Sequence, residues 1–236
     1  MSALDIIDVH CPAFTDQKPG TAGLRKKVQV FRQPHYLEMF TQAVLATLAL
    51  PPGACIVIGG DGRYFNSEAI QRLIAVAVAN GIGTIIVGRD GLLSTPAASH
   101  LIRLRHADAG FLLTASHNPG GPDGDFGLKF NMPTGGQAPE QVTEDVYRAS
   151  TRLTGYRHAV LPLLDLGRTG TRRVGDVTIE VVDPVADYAA LMESLFDFQR
   201  IADWLRGGHR ICFDAMHAVT GPYARRILVE QIGRAS

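Results

Sequence analysis

The sequence predicts an α/β protein, a three-layer α/β/α domain built around a mixed, mainly parallel sheet. Three short apolar runs carry this prediction, at residues 55–58, 84–87 and 109–113. Near-continuous apolar runs of this length are typical of strands that are covered on both faces. Helical patterns separate the runs, and the resulting βαβαβ order favours parallel strands with helices on both sides of the sheet.

Local signals predict the remaining elements. Pro34 suits the first turn of a helix that ends before Pro51 and Pro52, and Ser94 caps a later helix. The predicted helices cover residues 34–50, 66–80, 94–106, 139–153 and 184–198, and the further strands 126–131, 176–183 and 210–214. Residues 1–15 carry no clear pattern, and residues 154–176 indicate a surface excursion. In the helix over 184–198, the apolar residues up to Leu195 are expected to face inward.

The composition indicates a globular chain without the positive electrostatic field that would attract polyanions. Of the 236 residues 46% are hydrophobic, and 23 Lys and Arg residues balance 23 Asp and Glu residues. A net charge of zero provides no basic surface for nucleic acid or for an anionic membrane, so neither partner is expected. No stretch approaches the ~20 apolar residues of a membrane helix, and the N-terminus does not resemble a signal peptide.

The cysteines favour a reducing compartment. Cys11, Cys55 and Cys212 lie far apart in the sequence. Their spacing matches neither a metal site nor a disulfide framework. We therefore expect a cytoplasmic location.

The stretch 114–121, Thr-Ala-Ser-His-Asn-Pro-Gly-Gly, follows the apolar run at 109–113. Its Pro and Gly content also suits a plain connecting loop, so a structural and a functional interpretation are both open. Ser116 stands where the strand ends, and ligands bind beyond the carboxyl ends of parallel strands. A serine hydroxyl is a weak nucleophile unless a base or a cation assists it. His117 beside it and Lys129 on the returning strand are candidates for that assistance.

Two other glycine-containing stretches permit a similar choice. Residues 18–27 combine glycines with cations, either as a solvated turn or as a loop that presents backbone N–H groups and Arg25 to a phosphate. Residues 59–63, Gly-Gly-Asp-Gly-Arg, lack the spacing of a known phosphate loop and favour a strand-to-helix turn. Asp123 and Asp125 are interpreted as turn formers rather than metal ligands.

The stretch from Thr114 to Pro119 resembles the phosphoserine loop of the α-D-phosphohexomutases, and its continuation to Asn131 resembles the phosphoglucomutase branch. Residues 20–27, 59–64 and 214–222 are similar to other segments of that family, although Ala22 replaces a serine. The similarity over 59–64 implies that Arg63 could shape the cleft. The resemblance implies interconversion of glucose 1-phosphate and glucose 6-phosphate through glucose 1,6-bisphosphate. The residues that it implies are Ser116, His117 and Lys129 for catalysis, Thr21 and Arg25 with these three for phosphate binding, and the phosphate of Ser116 for Mg²⁺.

The resemblance covers nearly the whole chain but only part of a four-domain enzyme. It implies a first domain over residues 1–190, and a linker helix with the first strand–helix unit of a second domain over residues 191–236. On this basis we expect an N-terminal portion whose partners are the missing domains II–IV and a hexose phosphate, and which has negligible mutase activity alone.

Two other functions remain open from the sequence. A non-catalytic phosphosugar-binding or phosphorylated scaffold module would retain Ser116 without turnover. A serine hydrolase is the weaker alternative, because the Gly-x-Ser-x-Gly elbow is missing and His117 cannot easily reach back to the hydroxyl of Ser116.

Overall fold

The computed structural model describes residues 4–21 and 23–233, so Ala22 lies outside the described residues. The strands are β1 (Ile6–His10), β2 (Gly23–Lys27), β3 (Cys55–Gly60), β4 (Thr84–Leu92), β5 (Ala109–Leu113), β6 (Asp125–Asn131), β7 (Gly155–Ala159), β8 (Gly170–Val174) and β9 (Val177–Val182). The helices are α1 (Val28–Phe31), α2 (Tyr36–Leu48), α3 (Asn66–Ala79), α4 (Thr95–Leu104), α5 (Glu140–Ser150), α6 (Ala186–Leu195), α7 (Phe198–Arg206) and α8 (Thr220–Ala224), which continues as a π-helical segment (Arg225–Ile232).

Seven strands form one sheet in the order β2-β6-β5-β3-β4-β9-β8. The four central strands, β5, β3, β4 and β9, run parallel, whereas β2, β6 and β8 are antiparallel to their neighbours. Ile56 in the middle of β3 lies opposite Ile85 of β4 and Ala109 of β5. The predicted mixed, mainly parallel α/β sheet is confirmed.

Helices cover both faces of the sheet, and each face has its own apolar core. One core packs α2, α3 and the aromatic residues Phe31, Phe111 and Phe126 against the sheet. The other packs α4 and α6 against the opposite face. At the start of β6, the Phe126 ring lies edge-on to Phe31 and Phe65, with centroids 5.0 and 5.2 Å away. This aromatic cluster anchors the strand that follows the Ser116 loop.

A second, two-stranded sheet joins β1 to β7, in antiparallel register from Ile6 opposite Ala159 to His10 opposite Gly155. The sequence pattern did not predict these strands or β8. The residues of β1 are largely exposed, so no alternation of apolar residues marks them. The predicted surface excursion over 154–176 is therefore wrong, because it contains both β7 and β8.

Two predictions near the carboxyl end are also wrong. Residues 210–214 do not form a strand, because no strand within residues 4–21 and 23–233 pairs with them. The helix predicted over 184–198 is present as α6 and ends at Leu195, but the expectation that Leu195 faces inward is wrong, because its side chain is 63% exposed. A new helix, α7, begins after Asp197, whose carboxylate caps it by accepting from the N–H of Arg200 at 2.9 Å.

None of the described helices is long and apolar enough to cross a membrane.

Hydrogen exchange is expected to divide the chain sharply. In the described part of the chain, the N–H groups of residues 209–215 have no hydrogen-bond partner, whereas those of β3 and β5 lie in a buried ladder. Mass spectrometry of amide exchange should therefore find residues 209–215 exchanging fast and residues 55–60 and 109–113 strongly protected. Equal protection of the two groups would contradict this description.

Candidate functional site

The candidate site lies at the carboxyl ends of β3 and β5. Because β4 and β5 flank β3 on opposite sides, the sheet order reverses at β3, and such a switch point leaves a crevice between adjacent loops. The loop that begins with Asp61 after β3 meets the loop that begins with Thr114 after β5. The N–H of Asp61 donates to the carbonyl of Leu113 at 3.1 Å, which ties the two loop starts together.

The serine loop holds Ser116 in an unusual backbone conformation. Its φ of 57° lies in the left-handed region, which costs a residue other than glycine about 1–2 kcal/mol. The N–H of Ser116 donates to the Thr114 hydroxyl at 2.9 Å, and the N–H of Asn118 donates to the Ala115 carbonyl at 3.2 Å. The loop closes where the N–H of Asp125 donates to the Pro119 carbonyl at 2.9 Å. Ser116 is exposed at the tip of this closed loop.

Arg63 and Asp61 form an ion pair, the Arg63–Asp61 clamp, that holds the serine loop in place. The Arg63 side chain is only 8% exposed and forms a two-pronged ion pair with Asp61, with N–O distances of 2.9 and 3.0 Å. The same guanidinium donates to the carbonyl of Ser116 at 3.0 Å and to the carbonyl of Asp125 at 2.8 Å. Asp61 also accepts from the Thr114 hydroxyl at 2.6 Å. The Arg63–Asp61 clamp therefore fixes both ends of the serine loop.

Two cations reach the hydroxyl oxygen of Ser116. The ammonium of Lys129 lies 3.2 Å from Oγ, and the guanidinium of Arg25 lies 3.4 Å from it. Arg25 also donates to Oδ1 of Asn118 at 3.2 Å, which keeps the guanidinium over the loop. The exposed hydroxyl thus faces a site suited to an anionic group.

Strand register brings these cations to the serine. On β2, Arg25 stands opposite Gly127 of β6, and Lys129 lies two residues further along β6. Gly127 permits the close approach, since a Cβ atom there would lie 2.4 Å from the carbonyl oxygen of Thr114. The pairing of β2, β6 and β5 therefore delivers Arg25 and Lys129 to the end of β5.

The site has a net cationic character, and its charges are tuned by their surroundings. Burial lowers the pKa of Lys129, the nearby charge of Arg25 lowers it further, and Asp61 partly opposes this. The pKa of Asp125 is lowered by hydrogen bonds from Lys27 and Asn118, so this carboxylate stays ionised as a fixed anchor of the loop. Lys27 contacts it at 2.8 Å.

Beside the serine lies a cleft of about 410 Å³. It is lined by Lys18, Gly20, Thr21, Gly23, Leu24, Arg25, Thr114 and Lys129. Of the residues expected from the sequence, Arg25 and Lys129 both contact the Ser116 hydroxyl, and Thr21 lies in the cleft wall. The His117 ring is exposed and, among the residues the structure describes, has no hydrogen-bond partner. Because the ring does not contact the Ser116 hydroxyl, the geometry does not support a serine hydrolase.

The side chains around Ser116 do not form a cage for Mg²⁺ by themselves. Within residues 4–21 and 23–233, no group of three or more His, Cys, Asp or Glu side chains could hold a metal. The partners of the Ser116 hydroxyl are cations, which would repel a free divalent ion. Asp125 and Asp123 are engaged elsewhere, the latter accepting from Gln29 at 2.7 Å.

Three further residues of the site were not expected from the sequence: Asp61, Thr114 and Asn118. Thr114 links Asp61 to the N–H of Ser116, and Asn118 links Arg25 to Asp125, donating to its carboxylate at 2.6 Å. The sequence did contain one indication of their position. Asp61 and Arg63 come directly after β3, and a βαβαβ order can place β3 beside β5, so that the loops after the two strands meet. Their contacts depend on loop geometry that the sequence pattern does not contain.

Comparisons with known proteins agree with this architecture. Residues 16–157 match the family described as phosphoglucomutase/phosphomannomutase, alpha/beta/alpha domain I. A phosphoglucomutase of Aspergillus oryzae is 49% identical over 238 residues, which cover 99% of this chain and 42% of that protein. A phosphoglucomutase of Rhizobium radiobacter is 50% identical over 220 residues, covering 93% of this chain and 41% of that protein.

A crystal structure of similar fold is that of pp63/parafusin from Paramecium in its open form, described as an exocytosis-sensitive phosphoprotein and a phosphoglucomutase. It superposes with a TM-score of 0.90 at 41% identity, over 97% of this chain and 43% of that one. The chain thus spans about two fifths of the length of these relatives. Since the family match includes the serine loop, both its cations and the Arg63–Asp61 clamp, the chain belongs to the phosphoglucomutase/phosphomannomutase family.

Proposed function

We propose that this chain forms the phosphoserine-bearing part of a phosphoglucomutase, which interconverts glucose 1-phosphate and glucose 6-phosphate through glucose 1,6-bisphosphate. One observation carries the proposal: an exposed Ser116 hydroxyl lies within hydrogen-bond distance of two cations, on a loop whose backbone is fixed by a buried arginine. Phosphoryl transfer depends mainly on positioning and on neutralisation of charge, and this arrangement supplies both.

In the loading step, Oγ of Ser116 attacks a phosphorus atom of glucose 1,6-bisphosphate. The O–P bond to serine forms as the bond between that phosphorus and the sugar oxygen breaks. The serine proton leaves, and the sugar oxygen takes up a proton to become a hydroxyl. The products are phospho-Ser116 and a glucose monophosphate, and the reverse transfer to the other end of a hexose phosphate completes the interconversion.

Lys129 is the residue that we assign to the proton and to the developing charge. Its ammonium contacts Oγ directly at 3.2 Å, and its lowered pKa makes it a readier proton donor than an ordinary lysine. Arg25 is permanently charged and holds the phosphoryl group in place. The two cations thus have separate duties, since Arg25 binds and Lys129 also exchanges a proton.

Thr21 and His117 are assigned to binding. Thr21 lies in the wall of the cleft beside Arg25, where its hydroxyl can reach a phosphate or a sugar. The backbone N–H of His117 has no partner in the described part of the chain, and it is available to a phosphate on the preceding serine. The exposed His117 ring can orient the arriving hexose phosphate.

The organisation of the longer enzyme is part of the same proposal. Residues 1–190 form the first domain, and residues 191–236 form a linker and the start of a second, with domains II–IV as partners. Mg²⁺ on the serine phosphate rests on family resemblance alone, and no step above uses it. Because domains II–IV are proposed to contribute to the reaction, we expect negligible mutase turnover from this chain by itself. A cytoplasmic location is proposed from the three free cysteines.

Incubation with glucose 1,6-bisphosphate should add one phosphoryl group to the chain, at Ser116. Ser116→Ala should abolish the addition, because no other hydroxyl in the described residues is hydrogen-bonded to both Arg25 and Lys129. Intact-mass measurement and phosphopeptide mapping provide the readout. Ser67→Ala, which removes an exposed serine of α3, should leave the addition unchanged. Folded wild-type chain that stays unmodified, yet binds the sugar phosphate, would support a binding module instead.

Affinity for glucose 1-phosphate should fall with rising pH earlier than an ordinary lysine would dictate. The protonated form of Lys129 attracts the anion, and its lowered pKa means that this charge is lost below the ordinary value of ~10.4. Titration calorimetry from about pH 7 to about pH 11 should locate the fall. Lys129→Met should bind weakly and lack this early fall, whereas Lys26→Met, which removes the neighbour of Arg25 paired with Asp16, should retain the wild-type profile. A wild-type affinity that stays constant to ~10.4 would contradict this role.

Arg63→Gln should reduce both stability and phosphoryl loading. It leaves Asp61 without its ion pair, and we expect a loss of roughly 2–4 kcal/mol in the free energy of unfolding, somewhat below fully buried pairs. It also releases the Ser116 carbonyl, so loading should slow by at least about tenfold. Arg105→Gln breaks a similar fork with Glu180 away from the serine loop and should lower stability only. Equal loading by the two variants would show that the clamp does not position Ser116.

A further inference from the structure

The hydroxyl of Tyr223 is one of the contacts that tie the carboxyl-terminal helix to the main sheet domain. Tyr223 on α8 is 7% exposed, and its hydroxyl accepts from the N–H of Ser94 at 3.0 Å while donating to the carbonyl of Pro184 at 2.8 Å. The ring lies edge-on to Tyr188 with centroids 5.6 Å apart. Two backbone groups far apart in sequence thus share one side-chain partner.

The first of these groups belongs to the corner between β4 and α4. Ser94 caps α4, and the preceding Leu93 is buried. The N–H of Leu93 donates to the carbonyl of Gly60 at 2.8 Å. Leu93 also packs directly on Gly59, where an added Cβ atom would lie 2.3 Å from the Cβ of Leu93. The corner therefore rests on the last two residues of β3.

The next residue after β3 is Asp61, half of the clamp under the serine loop. Its N–H is bonded to Leu113, and its carboxylate holds Arg63 and the hydroxyl of Thr114. A continuous series of close contacts consequently leads from Tyr223, through the β4–α4 corner and Asp61, to the backbone of Ser116. A displacement of the corner would change where Asp61 stands, and with it the clamp.

We infer that Tyr223 is a positioning residue for the Ser116 loop, acting through Ser94, Leu93 and Asp61. The inference rests on the proposed function of Ser116 where the reaction is concerned, but the structural coupling is independent of it. Without the Tyr223 hydroxyl, the N–H of Ser94 and the carbonyl of Pro184 lose a buried partner, and the corner loosens. The carboxyl-terminal helix thereby influences a serine that it does not touch.

Tyr223→Phe in the full chain tests the inference, with Arg226→Gln as its control. Arg226 pairs with Asp183 at 3.2 Å, so the control weakens the same helical segment without touching the β4–α4 corner. Amide exchange at residues 59–61 and 113–116 should accelerate by about threefold to tenfold in Tyr223→Phe only. The maximal rate of phosphoryl transfer to Ser116 should fall by a similar factor of about threefold to tenfold, at an unchanged half-saturating concentration of glucose 1,6-bisphosphate.

A second pair of variants isolates the N–H of Ser94. The φ of Ser94 is −69°, which proline can adopt, so Ser94→Pro removes the donor to Tyr223 along with the capping hydroxyl. Ser94→Ala removes the hydroxyl alone. Only Ser94→Pro should reproduce the exchange and rate changes of Tyr223→Phe.

Wild-type exchange at residues 59–61 and 113–116 in Tyr223→Phe and Ser94→Pro would overturn the inference. So would an unchanged maximal rate in a chain that loads normally. If the wild-type chain takes no phosphoryl group at all, the proposed function fails, and the exchange measurement alone then decides whether Tyr223 positions the loop.

Discussion

The fork between Arg63 and Asp61 is the interaction on which the site depends. A left-handed serine at a loop tip is unfavourable by itself, and an exposed Pro- and Gly-rich loop has little apolar surface to hold it. The buried guanidinium resolves this by donating to the carbonyls of Ser116 and Asp125, at the two ends of the loop. Because Asp61 neutralises the guanidinium and also binds Thr114, the charge is satisfied without solvent. The rest of the fold serves to bring β3 and β5 side by side.

The antiparallel strands at one edge of the sheet supply the two cations that contact the Ser116 hydroxyl. The parallel core provides the switch point and the clamp, whereas β2 and β6 provide Arg25 and Lys129. Partial burial makes Lys129 a weaker base than an ordinary lysine, while Arg25 keeps its charge at every relevant pH. The two sets of strands meet at Gly127, where only a residue without a side chain fits against Thr114.

The parts of the fold that could be predicted are those whose signal is local. The strands at 55–58, 84–87 and 109–113 are recognisable in the sequence as apolar runs, because both of their faces are buried. Ser94 caps α4, as the sequence around it indicates. The pairing of β1 with β7 joins residues about 150 positions apart and leaves no local trace. Residues 210–214 have the composition of a strand but pair with no strand in the part of the chain that the structure describes, so the sequence pattern gave a wrong prediction there.

The same distinction holds at the site. Ser116 stands out because it follows a strand, and Arg25 and Lys129 stand out as cations in candidate loop and strand segments, but their convergence on one oxygen depends on the register of three strands. Predicting the Arg63–Asp61 clamp would have required knowing how the loops after β3 and β5 contact each other, and the spacing of residues in the sequence does not reveal this. His117, expected beside the nucleophile, is instead exposed and without a contact to it.

A crystal structure of the chain phosphorylated on Ser116 would test this account most directly. We predict phosphate oxygens bonded to Arg25, to Lys129 and to the N–H of His117, with Ser116 still left-handed and its carbonyl still bonded to Arg63. A phosphoserine turned into solvent, with Ser116 in an ordinary backbone conformation and Arg63 detached, would contradict the claim that the clamp presents this residue for phosphoryl transfer.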